Sequence, residues 1–139
     1  MKLLVAHAAT VRMHAYAPYS KFAVGAALQT PDGAIFVGAN VENAAYPLGL
    51  CAESVAIGAM IAAGRRKISA IAIVGDSDDL VTPCGACRQR LAEFADGDIP
   101  VGVADTSGLR ATFFLHGLLP HAFGPETLGV QPAIEDETP

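Results

Sequence analysis

Ile68 to Gly75 reads as an apolar strand, and it is followed by a polar loop (Asp76 to Pro83), a helix (Cys84 to Ala95) and a second apolar strand (Ile99 to Ala104). Strand, helix and strand in that order predict a right-handed crossover between two parallel neighbours. Parallel strands of this kind are buried on both faces, so helices must cover the sheet above and below. The remaining pattern fits around that unit. Leu4, Ala8, Val11 and Ala15 recur at helical spacing and predict a first helix over residues 2–15, with Pro18 barring continuation. Phe22 to Thr30 and Ala34 to Ala39 flank Pro31, Asp32 and Gly33 and predict a hairpin. Asn40 to Leu50 reads as a loop. A helix opens at Cys51 and stops at Gly64, where Arg65, Arg66 and Lys67 suit its C-terminal dipole. Ala111 to Leu115 predicts a fifth strand, and His116 to Leu119 a short helical turn stopped by Pro120. The expected architecture is α/β: a three-layer α/β/α domain around a mixed five-stranded sheet. A chain of 139 residues with 52% hydrophobic side chains supports one such domain over residues 1–139 and excludes disorder. Residues 130–139 are expected to be a flexible tail.

Nine basic against fourteen acidic residues give a net charge of −5, which argues against a nucleic-acid partner. No charge-free apolar run reaches the roughly 18 residues a membrane span needs, and His7 and Arg12 interrupt the apolar opening, so neither a membrane nor a signal peptide is expected. Three cysteines, an odd number, suit a reducing cytoplasm better than a disulfide framework.

The cysteines carry the chemistry. Cys51 opens one predicted helix, and Cys84 with Cys87 opens the next. A helix N-terminus presents free N–H groups and a partial positive charge, which favours thiolate over thiol. Two such ends meeting at a crossover can bring three thiolates to one zinc ion, and three protein ligands leave a fourth position open, as in catalytic zinc sites. Glu53, two residues past Cys51, is placed to exchange protons beside the metal. Competing readings remain. Cys84 and Cys87 have the spacing of a redox pair, although Cys51 would then be idle. A closed structural zinc site in a non-catalytic binding module is the other alternative, but His7, His14, His116 and His121 fall at no ligand spacing from the cysteines.

Cys51, Ala52 and Glu53, followed by Pro83, Cys84, Gly85, Ala86, Cys87, Arg88 and Gln89, resemble the zinc signature of the cytidine deaminases. Phe22, Val24, Gly25 and Ala26, and then the run from Asn40 to Tyr46, resemble segments of the small homotetrameric nucleoside branch. The likeness runs from about Tyr19 to Phe123. It implies one zinc per subunit held by Cys51, Cys84 and Cys87, with Glu53 as the catalytic proton carrier in conversion of cytidine and deoxycytidine to uridine and deoxyuridine. It further implies that Asn40 and Glu42 bind the ribose hydroxyls, that Phe22 stacks on the base, and that the Ala52 N–H meets the pyrimidine carbonyl. Ala44, Tyr46 and Phe123 are implied to complete the site of a neighbouring subunit in a homotetramer.

Each residue also has a plainer reading. Glu53 can complement the helix dipole, Asn40 and Glu42 can satisfy turns, Phe22 can be a buried strand residue, and Tyr46 and Phe123 can pack within their own subunit. Arg88 and Arg90 read as solvent-facing helix cations. Ser54 departs from the family, many members of which carry an arginine there that bonds the zinc thiolates. Blasticidin deaminases, which resemble the family and lack that arginine, leave a modified cytosine nucleoside as the alternative substrate.

Overall fold

In the computed structural model, which describes residues 1–130, the chain runs through α1 (Lys2–Arg12), β1 (Val24–Gln29), β2 (Ile35–Ala39), a 3-10 turn (Tyr46–Leu48), α2 (Ala52–Ala62), β3 (Ala70–Gly75), α3 (Gly85–Phe94), β4 (Pro100–Asp105), β5 (Gly108–Phe114), α4 (Leu115–Leu118) and a last 3-10 turn (Pro125–Leu128). The strands form one mixed sheet in the order β2-β1-β3-β4-β5. β3 and β4 pair in parallel, Ile71 opposite Val101, as the crossover requires, and the other neighbours are antiparallel. The expected tail falls, beyond Val130, outside the described residues.

Alternation along the strands sorts the core into two layers. Ala26, Leu28, Ile71, Ile73 and Val101 join Ala56 and Met60 of α2 and Leu91 of α3 on one face. Ala27, Ala72, Val74 and Ala104 meet Leu4 and Ala8 of α1 on the other. Two glycines let helices settle onto backbone. A Cβ on Gly25 would overlap the Ala8 carbonyl and lie 2.8 Å from Arg12 Cβ, while one on Gly38 would overlap the Ala52 carbonyl and lie 2.9 Å from Val55 Cβ. Both helices therefore ride closer to the sheet than a side chain would allow.

Most element ends fall within two residues of the pattern-based expectation, and two differ by three. α1 ends at Arg12 rather than near residue 15, because Met13, His14 and Ala15 donate to carbonyls three residues back, which tightens the last turn out of α geometry. β5 begins at Gly108, three residues before the expected start, and Leu115 opens α4 instead of closing the strand. Asp105 sets that start, its carboxylate accepting from the Ser107 N–H at 2.7 Å and the Gly108 N–H at 3.2 Å.

Candidate active site

The N-terminus of α2 and that of α3 meet at the end of the sheet that carries Val24 and Gly75, which are paired in the β1–β3 register. Cys51 and Cys84 are the N-cap residues of these helices, both with extended backbone, and Cys87 sits in the first turn of α3 with no exposed surface. The three Sγ atoms lie within 4.8 Å of one another, and Cys51 Sγ and Cys84 Sγ are 3.9 Å apart. Sulfurs bound tetrahedrally to zinc at about 2.3 Å stand about 3.8 Å apart, so the cluster has the dimensions of three corners of such a site. No histidine or carboxylate joins the cluster among the described residues.

The electrostatics point the same way. Burial pushes the Cys87 thiol far up, and the negative charges of Glu53, Cys51 and Cys84 push it further. Burial also raises Cys51. Cys84 shifts down despite its burial, because the Cys87 backbone N–H and the neighbouring thiols stabilise its thiolate. Three sulfurs this close oppose one another's full ionisation, and a divalent ion would supply the compensating charge. The donor set therefore fits zinc.

A cavity of about 370 Å³ opens beside the sulfurs and brings Asn40, Glu42, Cys51, Ala52, Glu53 and Cys84 together. Glu53 is 4% exposed, and burial raises its carboxyl above the usual carboxylate value; its own backbone N–H, the Cys87 thiol and the charge of Arg90 act in the opposite direction. Asn40 spans the start of β1, its Oδ1 accepting from the Val24 N–H at 2.8 Å and its Nδ2 donating to the Phe22 carbonyl at 2.9 Å. One N–H and one lone pair of the amide remain for a ligand. Glu42 accepts from the Ser20 hydroxyl, from the Tyr19 N–H at 2.8 Å and from the Ser20 N–H at 3.2 Å. These bonds, the hydroxyl's foremost, hold its carboxyl below the usual range.

Other expected site residues lie elsewhere. Phe22 is 38% exposed and is absent from the cavity wall, although Asn40 and Ser20 bond its backbone. Tyr46 lines an adjoining cavity of about 360 Å³ with Tyr19, Ser20 and Glu42. Phe123 belongs to a third depression near α4, its carbonyl accepting from Gln89 Nε2 at 2.8 Å, and Ala44 is exposed in the loop. Arg88 is not the solvent-facing cation expected. Its guanidinium donates to the Pro83 carbonyl at 2.7 Å, the Leu118 carbonyl at 2.8 Å and Thr82 Oγ1 at 3.0 Å, tying the strand-to-helix segment ahead of Cys84 to α4. Ser54 Oγ is buried without a hydrogen-bond partner, so the residue that replaces the family's arginine makes no bond to the thiolates.

The family model described as the cytidine and deoxycytidylate deaminase zinc-binding region matches residues 1–103. The chain belongs to this family. A cytidine deaminase from Sporosarcina psychrophila is 45% identical to this deaminase-family chain over 125 residues, covering 90% of it and 92% of the relative. One from Halalkalibacterium halodurans is 43% identical over 127 residues, covering 91% and 96%. Among solved structures, a cytidine deaminase from Burkholderia pseudomallei superposes with a TM-score of 0.82 at 44% identity, covering 87% of this chain and 97% of that one. One from Mycobacterium tuberculosis gives 0.76 at 38% identity, covering 88% and 95%. The mixed five-stranded sheet with helices on both faces is the architecture of these deaminases. The family's zinc-binding region and the Cys51, Cys84 and Cys87 cluster fit one Zn2+ per subunit. Among the described residues, no helix is long and apolar enough to cross a membrane.

Proposed function

We propose that this protein is a zinc-dependent hydrolase that converts cytidine and deoxycytidine to uridine and deoxyuridine, consuming water and releasing ammonia, as a step of pyrimidine salvage in the cytoplasm. The observation that carries the reading is one cavity lined by a buried carboxyl, Glu53, and by Cys51 and Cys84, which with the buried Cys87 form a thiol cluster drawn from two helix N-termini.

Cys51, Cys84 and Cys87 would hold the metal, which would acidify a water and so supply the nucleophile for C4 of the pyrimidine. Glu53 works as the proton carrier. Its carboxylate takes one proton from the attacking water and gives it to N3, then takes the remaining proton from the hydroxyl formed on C4 and passes it to the amine, which leaves as ammonia while the carbonyl forms. Burial favours the protonated form between these transfers. In this reading the Ala52 N–H, in the first turn of α2, donates to the pyrimidine carbonyl, and Phe22, which the lone subunit leaves outside the cavity wall, stacks on the base. Asn40 and Glu42 read the ribose hydroxyls with the capacity their internal bonds leave free. The active form is a homotetramer in which Ala44, Tyr46 and Phe123 complete a neighbour's site. Support for this comes from the exposure of Tyr46 and Phe123, at 76% and 57%, which a lone subunit leaves in water.

Ser54 keeps a second substrate in play, since the blasticidin-type deaminases that resemble the family also lack the arginine. The test is to follow ammonia release from cytidine, deoxycytidine, their 5′-monophosphates and blasticidin S. Turnover of the two nucleosides supports the reading. Turnover of monophosphates alone, or of blasticidin S alone, removes it.

A further inference from the structure

Between α1 and β1 the chain passes through Tyr19, Ser20, Lys21 and Phe22, a stretch that sequence reasoning gave no role beyond Phe22. Lys21 adopts φ +60, the left-handed region that a lysine enters only when its surroundings hold it there. Its N–H closes a turn onto the Ala17 carbonyl at 3.1 Å. The turn directs the backbone N–H groups of Tyr19 and Ser20 onto one oxygen of Glu42 and the Ser20 hydroxyl onto the other. The same hydroxyl accepts from the Phe22 N–H at 3.0 Å, while the Phe22 carbonyl accepts from Asn40. Ser20 thus stands at the centre of a closed chain of bonds running from Glu42 through Ser20 and Phe22 to Asn40.

We propose that Ser20 is the positioning residue of sugar recognition, its hydroxyl fixing the Glu42 carboxylate relative to the Phe22 backbone so that the groups for sugar and base are set as one unit. The inference rests on the nucleoside deaminase reading and deepens it. Glu42 lines both the cavity beside the sulfurs and the adjoining one. A carboxylate between two openings has rotamers into either, and three donors on a rigid turn select one of them. Ordering the acceptor before the ligand arrives is what gives a hydrogen bond to a ribose hydroxyl its full value.

The experiment compares wild type with Ser20→Ala, Ser20→Thr and Ser20→Cys, each loaded with zinc and checked for metal content. It measures kcat and KM for cytidine, and Ki for 2′,3′-dideoxycytidine as a competitor that lacks the hydroxyls Glu42 would accept from. Losing a hydrogen bond to a charged acceptor corresponds to a rise in KM of about tenfold for Ser20→Ala. We expect that rise with kcat and the competitor's Ki unchanged within about twofold, recovery in Ser20→Thr, and an intermediate KM in Ser20→Cys, whose thiol is a weaker donor. An unchanged KM, a parallel rise in KM and Ki, or a loss confined to kcat would overturn the proposal while the deaminase reading stands. Should Ser20→Ala fail to load zinc, the Thr and Cys variants decide on the same criteria. A zinc-loaded wild type inert toward cytidine overturns both.

Discussion

Glu53 illustrates how the same carboxyl changes meaning with its surroundings. In isolation it is an acidic residue in the first turn of a helix, stabilised by the dipole. Its 4% exposure near the three sulfurs is the basis for the proton-carrier role proposed for it. Glu53→Gln, which keeps the shape and removes the titrating oxygen, is expected to lower kcat by about 10²–10⁴-fold while zinc content and melting temperature hold. Metal analysis alongside kinetics checks this, and an active variant would leave only a structural role. Far from the site, Asp32 yields a prediction in pH. The Thr30 hydroxyl, then Arg65 (Nε at 2.9 Å) and the Ala34 N–H, hold its carboxyl at about 2 instead of 3.8. The folded value lies below the unfolded one, so the stabilisation is complete above about 4 and disappears as pH falls towards 2. The difference in melting temperature between wild type and Asp32→Asn should therefore be constant from pH 7 to about 5 and close below pH 4. At this scale the convergence of Cys51, Cys84 and Cys87 was legible in the sequence, because three thiols at two helix starts have few other uses. The sequence did not show Ser20 or the anchoring role of Arg88, since a serine in a loop and an arginine on a helix have too many ordinary fates.

At the scale of elements, precision comes from where backbone meets backbone. α2 carries Cys51, Ala52 and Glu53, and it rests on Gly38 of β2 with no side chain between. Gly38→Ala would have to lift the helix from the sheet or bend the strand, and Cys51 and Glu53 would move relative to Cys84 and Cys87. The expected result is a melting temperature lower by on the order of 10 °C together with weaker zinc retention, read by calorimetry and chelator competition. The crossover β3-α3-β4 was legible because its strands are apolar on both faces. The start of β5 was not, since Leu109 and Arg110 are both exposed and regular alternation of half-buried and exposed positions begins only at Ala111. The end of α1 was misplaced for a related reason, as apolar spacing continues past the last α-type hydrogen bond.

For the whole molecule, the metal is a cross-link between segments 33 residues apart in sequence. Chelator-stripped protein should melt lower by on the order of 10 °C, and its cysteines should become reactive toward a thiol reagent, Cys84 ahead of the buried Cys87. Sedimentation should show a species four times the 14.3 kDa chain. Tyr46→Asp, which places a charge on an exposed aromatic, should lower that mass and reduce activity in step. A monomer with full turnover would remove the shared-site arrangement.

The glycine seat under α2 also divides the protein into regions that differ in how freely they can change. A contact made only by main chain has no rotamers to exchange and no smaller residue to fall back on, so neither drift nor selection has material to work with there. The loops spanning residues 40–50 and 76–83 border the cavity without supporting the helix. Attempts to retrain the enzyme toward bulkier nucleosides should find their tolerated changes in those loops at positions other than Asn40, Glu42, Ala44 and Tyr46, with the platform beneath the metal left untouched.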